Sequence, residues 1–289
     1  MTAYRGYLEL VRPANVATAL ADILAGYAVA GLPDGRALGW LLGSTACLYA
    51  GGVILNDVFD REIDRAERPE RPIPSGRVTT ARAAALGGGL LTTGVLAGAL
   101  ANPTAGIVAA ATAASVLLYD SWGKRQGLFG PLNMGMCRGL NLLLGISAAP
   151  AMLGAAWPLA LLPLVYITAV TAVSRGEVHG GPKQVGGFAL ISLSLVVVAL
   201  VALAGRRESE SLAGIVLALA LGWRVLPAFW TAYKTPLAGP IRHATRTGVL
   251  SLVLLDAAIG ATYGGALYSI AILATGLLAA SLARLFPVT

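Results

Sequence analysis

The chain has 289 residues and a formal net charge of +7, yet only 12% of its residues are charged, 56% are hydrophobic and the mean hydropathy is +0.74. A soluble domain carries about 25% charge, so this composition excludes a water-soluble globule and assigns most of the chain to lipid. The basic excess does not point to nucleic acid, because the cations sit in loops between apolar stretches rather than among stacking aromatics.

A membrane-crossing helix needs about 20 predominantly apolar residues. In chain order such stretches fall at 14–31, 38–56, 83–101, 104–119, 129–149, 157–174, 185–204, 211–230, 247–264 and 267–285. In lipid every backbone polar group must be satisfied internally, so stretches of this length read as helices. The last two share one apolar region broken only near Tyr263-Gly264-Gly265, so the expectation is an all-α, multi-pass membrane protein of nine or ten helices forming one domain, 1–289. Glu9, Arg12 and Asp22 argue against a cleaved leader at the start. The 36 glycines suit close helix–helix approach. Cys47 and Cys137 lie inside apolar stretches, away from any CxxC spacing, and read as packed thiols.

With every stretch taken as a span, 16 Lys/Arg fall on the side of the N-terminus, 3 on the other side and 2 within spans. The positive-inside rule makes the basic side cytoplasmic. The same topology sends 57–80, 120–127, 175–183 and 233–246 to that face, leaving short, bland loops opposite. One polar mouth on an apolar bundle suits a ligand with a polar head and a greasy tail.

The sharpest signal is LNDVFDREIDRAERPERPIPSGR, which begins where the second span ends. At about 100° per residue, Asn56, Asp57, Asp60 and Asp64 lie within an arc of roughly 100° on a continuing helix. Carboxylates gathered on one face repel each other, whereas hard oxygen donors in this arrangement suit Mg²⁺ completed by water and substrate phosphates. A solvated helix end, with Arg61, Arg65 and Arg68 offsetting the acids, is the plainer reading. The acids start inside the apolar boundary, where ionisable residues are costly unless they act.

The pattern Asn56-Asp57-x-x-Asp60-x-x-x-Asp64, followed by Arg71-Pro72-Ile73-Pro74-Ser75-Gly76, resembles the first signature of the UbiA-type intramembrane prenyltransferases. The resemblance implies a ring of about nine helices around a central cavity that opens laterally to lipid. It also implies an isoprenyl diphosphate substrate, Mg²⁺ as cofactor, and Asn56, Asp57, Asp60 and Asp64 as metal-binding residues, with Arg71 on the diphosphate. Tyr119 and Lys124, in Tyr119-Asp120-Ser121-Trp122-Gly123-Lys124-Arg125, correspond to a Tyr-then-Lys segment of the family that contributes to diphosphate binding, here with one residue more between them. Asp57, Asp60, Tyr119 and Lys124 are thereby the expected catalytic group. Taken alone, the segment reads as an interfacial aromatic anchor.

The second Asp-rich signature of the family is altered. In Ser174-Arg175-Gly176-Glu177-Val178-His179-Gly180-Gly181, Glu177 takes the first acidic position and Gly181 the second. Glu177 is then a further metal ligand, Arg175 a diphosphate contact and His179 either a diphosphate contact or a general base, the alternative being a plain turn. With RPANVATALADILAG and YKTPLAGPIRHATRTG, the altered motif resembles the EboC-like branch, which implies a bacterial or archaeal inner membrane. Inside the bundle Asn133, Arg138 and Asn141 share the fifth span, and Arg138 either binds an anionic head group or pairs with an acid. Asn15, Thr18 and Asp22 form a polar stripe on the first span. Asp22 and Asp256 either hold an acceptor or pair with Arg138 or Arg224.

The function expected is transfer of a prenyl group to an aromatic or other small hydrophobic acceptor. A terpene cyclase using the same site is the nearest alternative, and a carrier that binds without chemistry is the non-enzymatic one.

Overall fold

The computed structural model describes residues 2–207 and 212–285, with side chains from residue 5 onward, and every regular element within them is helical. In chain order these are α1 (Thr2–Val11), α2 (Pro13–Val29), α3 (Arg36–Phe59), α4 (Arg61–Glu67), α5 (Thr80–Ala101), α6 (Pro103–Ser121), α7 (Phe129–Ile146), α8 (Leu153–Ala156), α9 (Leu161–Ser174), α10 (Lys183–Gly205), α11 (Leu212–Lys234), α12 (Ala238–Gly264) and α13 (Ala266–Leu282). The ten apolar stretches all coincide with helices, while residue 211, expected to open the eighth, lies outside the described residues. Among the described residues seven helical segments are long and apolar enough to cross a membrane, counting Pro150–Ser174 as one.

Local chemistry sets the breaks. Thr79 caps α5 by accepting from Arg82 N at 3.3 Å. Asn102 caps α6 by accepting from Ala105 N at 2.8 Å, with Pro103 in the first turn where its missing N–H costs nothing. Between α12 and α13 the chain turns at Gly265, whose φ of 85° an L side chain would resist.

Ile107, Ile191, Leu195, Val198, Trp223 and Leu277 stand on outer helix faces with more than half their surface exposed. In water such area would cost about 25 cal/mol per Å²; against acyl chains it costs nothing. The outside of the bundle is a lipid-facing surface.

Since lipid gives helices no hydrophobic reason to associate, small residues and interhelical hydrogen bonds must hold them. A Cβ on Gly145 of α7 would come within 2.5 Å of Ile23 O, and one on Gly26 of α2 within 2.7 Å of Ile146 N. Ser44 donates to Gly94 O at 2.7 Å between α3 and α5, and Tyr268 to Leu24 O at 2.9 Å between α13 and α2. Gly145→Val is expected to lower stability by about 1–3 kcal/mol through overpacking. Unfolding in mixed micelles checks this, and an unchanged midpoint would mean that α2 and α7 do not cross so closely.

Successive helices pack side by side, α12 and α13 return to α2, and α2 also packs on α7. The C-terminal half is filled by a core that includes Tyr166, Leu193, Leu221 and Phe229. The N-terminal half, α2, α3, α6 and α7, encloses the cavity.

Candidate active site

The acidic signature is not one continuous helix. Helix α3 ends at Phe59, Asp60 takes φ −92° and ψ 4°, and α4 starts at Arg61. Asp57 and Asp64 are buried on one side of this break and converge on Arg71. Arg71 Nη1 donates to both Asp64 oxygens, at 2.9 and 2.7 Å, and stands 3.4 Å from Asp57 Oδ1. Arg12 Nη2 donates to the same Asp57 oxygen at 2.6 Å. Asp60 instead meets Lys124, whose Nζ lies 2.7 Å from Oδ1. Asn56 Nδ2 donates at 2.9 Å to Asp120 Oδ1. Three carboxylates and three cations therefore pair at the end of α3, which removes the repulsion that bare acids on one face would suffer.

Arg12 and Asp120 belong to this network although the sequence reading assigned neither a role there. Arg12 has φ 48° and ψ 67°, a left-handed conformation rare outside glycine. Its neighbour Pro13 disfavours the right-handed helical region at residue 12, so α1 must end there. The turn aims the guanidinium back at Asp57. Strain of this kind concentrates at functional sites. The available signals were the Arg-Pro step and the acid directly after Tyr119.

Behind the network lies a cavity of about 340 Å³. Arg12, Asn56 and Asp120 line its outer end, while Leu48, Tyr49, Val53, Val116, Tyr119 and Met134 make an apolar and aromatic wall. Thr45, eleven residues before Asn56 and hence about 16 Å along the helix axis, donates to Asn141 Oδ1 at 2.7 Å. Asn141 Nδ2 donates in turn to Asp22 Oδ2 at 2.7 Å. The cavity thus has a charged mouth, an apolar waist and a polar inner end.

Arg138 lies at the inner end of the cavity. Its Nη1 donates to Asp22 Oδ2 at 2.8 Å and its Nη2 to Thr18 Oγ1 at 3.1 Å, with Tyr49's ring centroid 5.2 Å from Cζ. Of the two expectations for Arg138, the structure shows the pairing with an acid: this guanidinium is 8% exposed and bonded to Asp22 across the bundle. Asp256 is fully buried, and among the described residues neither of its oxygens has a hydrogen-bond partner. Arg224 donates to Ser251 Oγ at 3.0 Å. Asn133 contacts Ser115 Oγ at 2.6 Å, and Cys47 and Cys137 are free.

Arg175 is also placed otherwise than expected. Its Nη2 donates to the carbonyls of Lys124 and Gln126 at 3.0 and 2.6 Å, bracing the loop that carries Lys124. Glu177 and His179 sit on the turn after α9, and among the described residues no hydrogen bond or ion pair ties either to the acidic network.

The donors at the mouth are hard oxygens, and Asp120 Oδ2 is buried with no hydrogen-bond partner. Among the described residues no three His, Cys, Asp or Glu converge on one point. Mg²⁺ needs no such cage, because it binds through one or two carboxylates and takes its remaining oxygens from phosphates and water. The residues present fit that ion.

A profile of the UbiA prenyltransferase family matches residues 16–287. A digeranylgeranylglyceryl phosphate synthase of Ignicoccus hospitalis is 36% identical over 183 residues, covering 63% of this chain and 60% of that relative's own length. A solved structure described as concerning digeranylgeranylglyceryl phosphate synthase in membranes superposes with a TM-score of 0.71 at 23% identity, covering 92% of this chain and 99% of the other. A UbiA homologue of Archaeoglobus fulgidus, solved bound to GPP and Mg²⁺, reaches 0.68 at 17% identity over 93% of this chain and 99% of its own. These likenesses establish the fold.

Proposed function

Because the chain belongs to the UbiA prenyltransferase family, we propose that it ionises an isoprenyl diphosphate at the mouth of the cavity and transfers the prenyl group to a hydroxyl of a glyceryl phosphate. The observation that carries this reading is the interlocked set Asp57, Asp60, Asp64, Arg12, Arg71 and Lys124 directly outside an apolar cavity. Asn56, Asp57, Asp60 and Asp64 would hold Mg²⁺, which when bound supplies positive charge to the departing diphosphate. Glu177 is left out of that set, since among the described residues no hydrogen bond or ion pair links it to the mouth.

The protein's own groups do the rest. Lys124 and Arg71 are pinned to carboxylates at 2.7 Å and exchange them for phosphate oxygens when the substrate head enters. Arg12, bonded to the most enclosed acid of the motif, keeps Asp57 oriented. When the C1–O bond breaks, the allylic cation is left beside Tyr49, Tyr119 and the aliphatic wall. That wall excludes water, and the ring faces favour positive charge. The acceptor oxygen bonds to C1, and its proton passes to the departing diphosphate, the nearest strong acceptor.

The acceptor replaces the aromatic one expected from the resemblance. It is argued from the names of the matched relatives, digeranylgeranylglyceryl phosphate synthases, whose product carries prenyl groups on a glyceryl phosphate. By the distribution of Lys and Arg the mouth faces the cytoplasm.

The test uses the purified protein in lipid with geranylgeranyl diphosphate, with and without Mg²⁺. Either geranylgeranylglyceryl phosphate or 4-hydroxybenzoate is offered as acceptor. Metal-dependent diphosphate release with formation of the second ether supports the reading. Prenylation of the aromatic alone would overturn the acceptor, a cyclic hydrocarbon would make the protein a cyclase, and binding without release would make it a carrier.

A further inference from the structure

We infer that Asp120 is a metal ligand of this site, supplying with Asp60 and Asn56 the oxygens that hold a divalent cation against the substrate diphosphate. The inference rests on the diphosphate reading above and adds a carboxylate from α6 to a set so far confined to the α3–α4 junction.

Asp120 differs from every acid of the signature. Asp57, Asp60 and Asp64 each touch a cation at 2.7 Å or less. Asp120 is 3% exposed, and among the described residues it forms no ion pair and its Oδ2 has no hydrogen-bond partner. A buried carboxylate oxygen without a partner is costly, and an asparagine would fill the same space without burying the charge. Its other oxygen accepts from Asn56 Nδ2 at 2.9 Å, which locks the carboxylate plane. The same bond fixes the Asn56 amide, whose oxygen accepts no hydrogen bond among the described residues. Both side chains line the mouth end of the cavity.

Lys124 faces the same acids. Its Nζ lies 2.7 Å from Asp60 Oδ1, and it follows Asp120 by four residues on the segment that leaves α6. When that ammonium turns to the diphosphate, Asp60 loses its ion-pair partner among the described residues, and a divalent cation is the replacement that also touches phosphate. Two carboxylates and an amide oxygen, completed by phosphate and water, match what Mg²⁺ accepts. Asp120 thereby takes the place that Glu177 does not fill.

The test is Mn²⁺ binding, read by electron paramagnetic resonance, to the full chain in lipid with geranylgeranyl thiodiphosphate, which does not ionise readily. Asp120→Asn keeps the shape and should bind Mn²⁺ at least tenfold more weakly than wild type, with Asp120→Glu in between. Wild-type affinity in Asp120→Asn overturns the inference while leaving the diphosphate reading standing. Failure of the wild-type protein to bind Mn²⁺ with the thiodiphosphate overturns both. Should the variant not fold, Fe²⁺-directed cleavage of the wild-type chain decides. Cuts near residue 120 as well as near 56–60 support the inference, and cuts confined to the α3–α4 junction overturn it.

Discussion

Asp60→Ala is expected to lower kcat/KM for Mg²⁺-dependent diphosphate release by about 10²–10³-fold, the scale seen when one group that stabilises developing charge is removed. Asp60 is the acid of the signature set at the helix break, held by Lys124 rather than by the Arg12–Arg71 pair that enclose Asp57 and Asp64. Its loss removes an oxygen donor and frees Lys124 at the same time, yet leaves the buried arginine contacts intact, so the protein should still insert and remain monodisperse. Asp57→Ala should also lose diphosphate release, but with a cost to stability, because Arg12 and Arg71 then lack a shared partner. The measurement is initial rates in lipid together with a melting curve for each variant. A rate within tenfold of wild type for Asp60→Ala, in folded protein, would remove this residue from the metal site.

Arg138→Met is expected to destabilise the fold by about 3–5 kcal/mol, the usual result of breaking a buried pair from one side. Asp22, fully buried, would keep only Asn141 as a side-chain donor among the described residues. The double variant Arg138→Met/Asp22→Asn should recover part of the loss, since the uncompensated charge goes with the arginine. Unfolding in mixed micelles measures all three. A single variant as stable as wild type, with a raised KM for the prenyl diphosphate, would instead return Arg138 to the role of an anion contact.

The fold was legible because its signals are local. Runs of about 20 apolar residues specify helices wherever they occur in lipid, and each of the ten stretches coincides with one. The ends were less legible. Helix α12 begins at Ala238, nine residues before the apolar stretch, because Arg242, His243 and Arg246 tolerate a helix outside lipid as well as a loop. Helix α1 was missed for the same reason: its ten residues are neither apolar enough to span nor broken by a turn signal.

The signature acids could be named from spacing alone, but their partners could not. Spacing predicts a shared face for Asp57, Asp60 and Asp64, and the break at Asp60 sends the middle acid to a different helix pair. Arg12 reaches Asp57 across 45 residues, Asn56 reaches Asp120 across 64, and Arg138 reaches Asp22 across 116. Which cation neutralises which acid depends on helix rotation and crossing, to which composition and period are blind.

By itself, then, the sequence determined the solvent, the all-helical fold and the acidic signature, because hydropathy and helical period are properties of neighbouring residues. Only the tertiary structure decided that Arg138 pairs with Asp22, that Arg175 braces a loop, and that Asp120 bonds to Asn56 with no ion pair among the described residues. These are outcomes of competition among charges brought together from distant helices. In a low-dielectric bundle the closest opposite charge wins, and closeness is set by packing.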